Sequence, residues 1–269
     1  MTRLGLVALV TLVIVALIAF VGPLVWTLDP DATDPVRALG APSGAHPLGT
    51  DELGRDVLSR LLHGAQVTLI VGVFSMLAAL VLGLLVGAVA GFYGGWVDAV
   101  LMRFTDAMLA VPAFFLILVV VTVVGGGGAT LVFVIGGLSW MPVARVVYGE
   151  TLRWKAAEFV LAAESLGAAP ARILARHVLP QTLPSLIVSA TLGVAYAILT
   201  ESAISYLGLG VQPPTPSWGN MLQRAQQYVF TQPALALYPG AAITLVVLAF
   251  NFLGDALRDA LDPRFLARR

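Results

Sequence analysis

The chain alternates long uncharged runs with short charged ones. No charge falls between Leu4 and Leu28, in 67–97, or in 107–144. Two further apolar runs follow, from about Pro184 to Leu207 and from Tyr238 to Gly254. A run of about 20 apolar residues is long enough to cross a bilayer. The 107–144 run spans 38 residues, too long for one crossing and enough for two short ones, with Gly125–Gly128 as the break and Pro112 kinking the first near its start. The pattern therefore predicts an all-α, polytopic membrane protein with six transmembrane helices. The first run has a signal peptide as its rival, because Arg3 precedes it. It exceeds the usual h-region and no small-x-small site precedes Asp29-Pro30-Asp31, so an uncleaved first helix is expected.

The expected layout is a first transmembrane helix at 1–28, a loop at 29–66, a five-helix core at 67–256 and a tail at 257–269. Within the loop, Thr50 is expected to cap a short amphipathic helix carrying Val57, Leu58, Leu61 and Leu62. Asp51, Glu52, Arg55, Asp56 and Arg60 alternate in sign, and read as a self-paired surface helix rather than a catalytic set. Gly83, Gly87 and Gly91 repeat every four residues and form a small-residue face on which another helix, of this chain or of a second subunit, can approach closely. Arg103 and Asp106 are spaced to pair. Glu201 lies inside the fifth run with Ser202 beside it. A carboxyl there must be paired or face a water-filled cavity, so pathway lining or gating and structural pairing both fit.

Between the fourth and fifth runs the chain turns polar. In 157–184, Phe159, Ala162, Ala163 and Leu166 share one helical face, Gly167 suits a left-handed cap, and Pro170 suits the first turn of a second helix that should stop before Pro180. Such a helix–turn–helix is either a docking element for a partner's groove or an interfacial loop anchored by Arg172 and Arg176.

Composition sharpens the picture. The chain of 269 residues is 59% hydrophobic and 11% charged, well below the charge of soluble domains. There is no cysteine, hence no disulfide and no thiolate chemistry. The three histidines, His46, His63 and His177, lie outside the apolar runs, and neither HExxH nor GxSxG occurs, which argues against an intramembrane protease. No phosphate loop of the GxxxxGK[ST] type is present, so ATP would not be hydrolysed by this chain. No basic tail suited to nucleic acid is evident. With the N-terminus inside and six spans, 11 basic residues fall on the cytoplasmic side and 4 outside, placing 149–184 in the cytoplasm and 208–236 outside.

The residues Ala162-Ala163-Glu164, Gly167, Ile173 and Leu179-Pro180 resemble the EAA loop of ABC importer permeases. The strings GTDELGRD (49–56), GFYGGWVD (91–98), SYLGLGVQPPTPSWGNML (205–222) and NFLGDALRDALDPR (251–264) are similar to the dipeptide/oligopeptide/nickel branch of that family, specifically its shorter paired subunit. Gln181 stands where that family often has Asn. The resemblance implies a transport subunit, not an enzyme, in a bacterial plasma membrane with both termini cytoplasmic. It implies a second permease subunit, two ABC ATPases carrying ATP and magnesium, and an extracytoplasmic binding protein. This chain itself would bind no cofactor or metal. It implies ATPase coupling through Phe159, Ala162, Ala163, Glu164, Gly167, Ala168, Arg172, Ile173, Leu179 and Pro180. Peptide is the expected cargo. Nickel uptake, or a proton-coupled secondary carrier using Glu201, are the alternatives.

Overall fold

The computed structural model describes residues 3–261; the expected tail charges Arg264, Arg268 and Arg269 lie outside the described residues. Among the described residues the chain is helical, with one isolated bridge and no extended sheet. Five segments are long and apolar enough to span a membrane: α1 (Arg3–Val25), α2 (Val57–Tyr93), the pair α5 (Gly128–Leu138) and α6 (Trp140–Lys155), the run from α8 (Pro170–Ile173) through α9 (Leu179–Tyr206), and α11 (Ala234–Leu261). A sixth crossing requires α3 (Gly95–Leu109) and α4 (Ala113–Val124), which are bent by 83° at their junction. Two short helices complete the chain, α7 (Glu158–Ser165) and α10 (Trp218–Ala225).

Helix α2 is the central rod. Its 37 residues make it about 55 Å long, well beyond the roughly 30 Å of a bilayer core. It packs most extensively on α6, and the glycine stripe is the reason. A Cβ at Gly83 would sit 2.6 Å from Val143 Cβ; at Gly87, 2.9 Å from Val147 Cβ; at Gly91, 2.9 Å from Thr151 Cβ. The helix that the stripe admits is thus α6 of the same chain. Helix α9 packs against both α2 and α6, α11 packs against α9, and α1 lies against α11.

The two ends of the bundle differ. At the α10 end, 26–56 and α10 cover the start of α2. Asp56 caps α2 by accepting from Ser59 N at 2.7 Å, and also accepts from Trp26 Nε1 at 2.9 Å. Arg55 pairs with Asp51 at 2.7 Å and with Glu52 at 3.1 Å, Arg60 with Asp31 at 3.1 Å, and Arg224 of α10 with Glu52 at 2.7 Å. This corrects the expected surface helix. Val57, Leu58, Leu61 and Leu62 open α2 itself, Asp56 rather than Thr50 is the cap, and Asp51, Arg55, Asp56 and Arg60 are buried. The signs alternate because buried charges each need a partner, not because they ride on an exposed helix.

Three other expectations change. Asp106 pairs with Arg145 of α6 rather than with Arg103, because α3 runs alongside α6. The third span does not start at 107; it starts at Gly95 and breaks over 110–112, where Pro112 caps α4. The second helix of the helix–turn–helix does not stop before Pro180. A five-residue π turn, Leu174–Val178, leads directly into α9. Pro180 follows two residues after the π turn and cannot donate to the carbonyls of that turn, yet the helix continues through it.

The glycine seam yields a stability prediction. Gly87→Ala, facing Val147 and the Ala144 carbonyl, should destabilise the protein by about 1–3 kcal/mol. Gly137→Ala, with open space around it, should stabilise by about 0.5–1 kcal/mol. Thermal unfolding of the purified protein in detergent should order the three as Gly137→Ala, wild type, Gly87→Ala.

Candidate functional site

At the end opposite α10, the sequence builds a small scaffold around the last turn of α2. Lys155, ending α6, donates to Phe92 O at 2.6 Å and lies 5.5 Å over the Phe92 ring. Phe92 packs with Val160 of α7, Ile173 of α8 and Val178 of the π turn. Glu150 accepts from Trp154 Nε1 at 3.0 Å and from Ser185 Oγ of α9 at 2.9 Å. Helix α7 is therefore seated on α2, α6 and α8 together.

The turn after α7 follows from Gly167. Its φ of +80° places it in the left-handed region, which costs a residue with a Cβ about 1–2 kcal/mol. Gly167 N donates to Glu164 O at 2.9 Å and Ala168 N to Ala163 O at 3.1 Å, the double bond of a Schellman cap. Pro170 then opens α8.

The ten residues expected to couple are brought together, but they divide. Phe159, Ala162, Glu164, Gly167, Arg172 and Pro180 are exposed. Ala163, Ala168 and Leu179 are half-buried, and Ile173 is a buried anchor in the Phe92 cluster. The apolar face drawn from spacing is uncovered: Phe159 is 42% and Leu166 89% exposed. Val160, one residue off that face, is the side chain that holds α7 to the bundle.

Glu201 and Ser202 lie far from this surface, near the α10 end of α9. Glu201 is completely buried and accepts from Ser205 Oγ at 2.8 Å and Ser202 Oγ at 3.3 Å. The hydroxyls of Thr68 in α2 and Ser217 before α10 lie near the carboxyl. Three of these hydroxyls are themselves acceptors: Ser205 Oγ takes Val211 N at 3.0 Å, Thr68 Oγ1 takes Trp218 N at 3.3 Å, and Ser217 Oγ takes Asn220 N at 3.2 Å. The proton of Ser205 Oγ is thereby directed at the carboxyl. Glu201 is thus held from within α9, and the bond from Trp218 N to Thr68 Oγ1 ties the α10 segment to α2 beside it.

Sequence reasoning missed the hydroxyls around Glu201. Ser205 lies one helical turn after Glu201 and was legible but unread, whereas Thr68 and Ser217 are distant in the chain. The capping box of α10, Ser217 with Asn220, was legible but unread. Also missed was a cavity of about 430 Å³ between α2, the α3–α4 break, α5, α6 and α9. Neither Glu201 nor Ser202 lines it.

The Glu201 hub gives a second prediction. Glu201→Ala leaves buried hydroxyls without their acceptor, each costing about 1–3 kcal/mol. Glu201→Gln keeps one carbonyl acceptor. The temperature at which half the protein stays monodisperse in detergent should fall in the order wild type, Glu201→Gln, Glu201→Ala.

The comparisons with known proteins agree with this architecture. Residues 80–267 match the model of the family described as binding-protein-dependent transport system inner membrane component. The chain is 39% identical to the dipeptide transport system permease protein DppC of Alkalihalophilus pseudofirmus, over 97% of this chain and 86% of that protein. It is 42% identical to the glutathione transport system permease protein GsiD of Pectobacterium atrosepticum, over 83% of this chain and 74% of that protein. It is 36% identical to the oligopeptide transport system permease protein OppC of Bacillus subtilis, over 97% and 86%. Among solved structures, an inward-facing MetNI methionine ABC transporter chain superposes with a TM-score of 0.59 at 20% identity, covering 75% of this chain and 96% of that one, a likeness of fold. The chain belongs to the binding-protein-dependent transport system inner membrane component family, the permease subunits of ABC importers.

Proposed function

We propose that this chain forms, with a second homologous permease subunit, the pathway by which an ATP-driven importer takes up dipeptides or longer peptides. Two ABC ATPases, carrying ATP and magnesium, dock at the α7 end, which faces the cytoplasm. A binding protein delivers peptide to the α10 end. Both termini are then cytoplasmic and the membrane is the bacterial plasma membrane. The peptide assignment rests on the names of the dipeptide, oligopeptide and glutathione permeases to which the chain is similar.

One observation carries the coupling role. The face of Phe159, Ala162 and Leu166 is apolar and uncovered, yet its helix is held firmly through Val160. An amphipathic helix that presents its apolar side outward is suited to a partner's groove. Beyond the Gly167 turn, α8 runs through the π turn into α9 without a break in the helical path. A push on α7 therefore reaches the spanning helix directly, and reaches α2 through Phe92. In this reading ATP binding draws the ATPases together, the two coupling elements follow, and the pathway opens outward; hydrolysis returns it.

Two experiments check the proposal. Gly167→Val forces a β-branched residue into the left-handed region and should unwind the cap. ATPase copurification and uptake should drop roughly five- to thirtyfold, since the strain of about 1–2 kcal/mol falls at the docking surface, while membrane insertion stays normal. Normal uptake would overturn the coupling assignment. In cells lacking this chain, a complementing copy should restore ATP-dependent uptake of labelled dipeptide, pentapeptide or glutathione. Restoration of nickel alone would remove the peptide assignment.

A further inference from the structure

The α7 end carries a charge pattern that the apolar face of α7 does not explain. Residues 157–168 hold Glu158 and Glu164 and no cation, while 169–180 hold Arg172, Arg176 and His177 and no acid. Glu158, Glu164, Arg172 and Arg176 are all exposed. None of these four side chains has an ion pair or a hydrogen bond among the described residues. The element is therefore polar end to end, acidic along α7 and basic along α8 and the π turn.

The winding of the segment sets the two arginines. Ile173 and Val178 both enter the Phe92 cluster although they are five residues apart. Five residues close one turn of a π-helix, whose bonds run from i to i+5, so the turn at Leu174–Val178 aims both inward. Arg172 and Arg176, four apart, stay on the outer side.

Their distance from the bilayer narrows what they can meet. The uncharged stretch of α11 ends at Gly254, followed by exposed Asp255, which marks the edge of the lipid-facing band at this end. A Cβ at Gly254 would lie 2.9 Å from Thr191 and Leu192 of α9, so Thr191 is level with that edge. Arg176 precedes Thr191 by 15 residues, roughly 20 Å of helix. Headgroups reach only about 5–8 Å beyond the hydrocarbon. Arg172 and Arg176 stand clear of lipid phosphates.

We propose that Arg172 and Arg176 dock against carboxylates on the ATPase subunit, on the wall of its groove that faces α8 and the π turn. The inference rests on the reading above that the ATPases dock at the α7 end, and it names the chemistry they must present there. Because the acids of α7 lie on the other side of the Gly167 turn, the pattern also fixes direction. An element seated the wrong way round would set Glu158 and Glu164 against the acidic wall, where like charges repel.

The test uses the assembled transporter, with its partner permease, ATPases and binding protein, in nanodiscs of phosphatidylcholine. This chain has one lysine, Lys155, so Arg172→Lys or Arg176→Lys adds an amine over a low background. A carbodiimide joins an amine to a carboxylate only where the two touch. The expected result is a crosslink from the substituted position to an Asp or Glu of the ATPase. Each exposed ion pair changes an equilibrium by up to about fivefold. The double reversal Arg172→Glu with Arg176→Glu should therefore lower ATPase retention roughly tenfold or more at about 0.1 M salt, and the difference from wild type should close at about 1 M. Arg103→Glu, on an exposed cation of α3, should leave retention unchanged. Crosslinks confined to Glu158 or Glu164 of this chain overturn the proposal. So does unchanged retention in the double reversal, or a loss that salt does not alter, the signature of a purely structural role. So do crosslinks that form only when phosphatidylserine is added, which would give the arginines to lipid. Failure of the coupling reading is separately visible, because the wild-type permease would then retain no ATPase at any salt concentration.

Discussion

The contact between α2 and α6 carries the rest of the molecule. Three glycines, four residues apart, remove every side chain from one face of α2, so Val143, Val147 and Thr151 pack against bare backbone. In a bilayer no hydrophobic effect draws helices together, and close van der Waals approach must do so instead. Because α2 is longer than the bilayer is thick, the paired helices present features at both ends. One end holds Phe92 and Lys155 beneath α7; the other holds Arg55, Asp56 and Arg60 beneath the α10 segment.

The two ends are stabilised by different physics. At the α7 end a small apolar cluster around Phe92 gathers four elements, and polar contacts to Glu150 and Lys155 fix their orientation. At the α10 end, buried charges and hydroxyls satisfy one another across long sequence separations, with Glu201 and Asp56 as the principal acceptors. Such a network tolerates little slippage, because displacing one partner strands another. The α10 end is thereby knit into one body, while α7 is held to it through the Phe92 cluster, with Val160 as its buried side chain.

Much of the architecture was legible in the sequence because its signals are local. The uncharged runs marked the spans, the Gly83/Gly87/Gly91 period marked a close helix contact, and Gly167 with Pro170 marked the turn. The features that sequence reasoning lost depend on distant partners. The 51–60 charges look alike on a surface helix or in a buried cluster, and only the arrival of Arg224 and Asp31 separates the two. Glu201 bonds Ser202 and Ser205 of its own helix, but what closes over it, the Ser217–Trp218 segment, comes from elsewhere in the chain. Pro180 misled for a different reason: proline normally ends a helix, and a preceding π turn has no composition that announces it.

That π turn sets a phase. Each residue added to or removed from a helix rotates the remainder of that helix by about 100°, so the five residues Leu174–Val178 fix the bearing of α9 relative to the turn that carries α7. Composition there is secondary to length. A chain one residue shorter at this point would keep every motif described above, yet aim its docking face in a different direction from the helix it is meant to move.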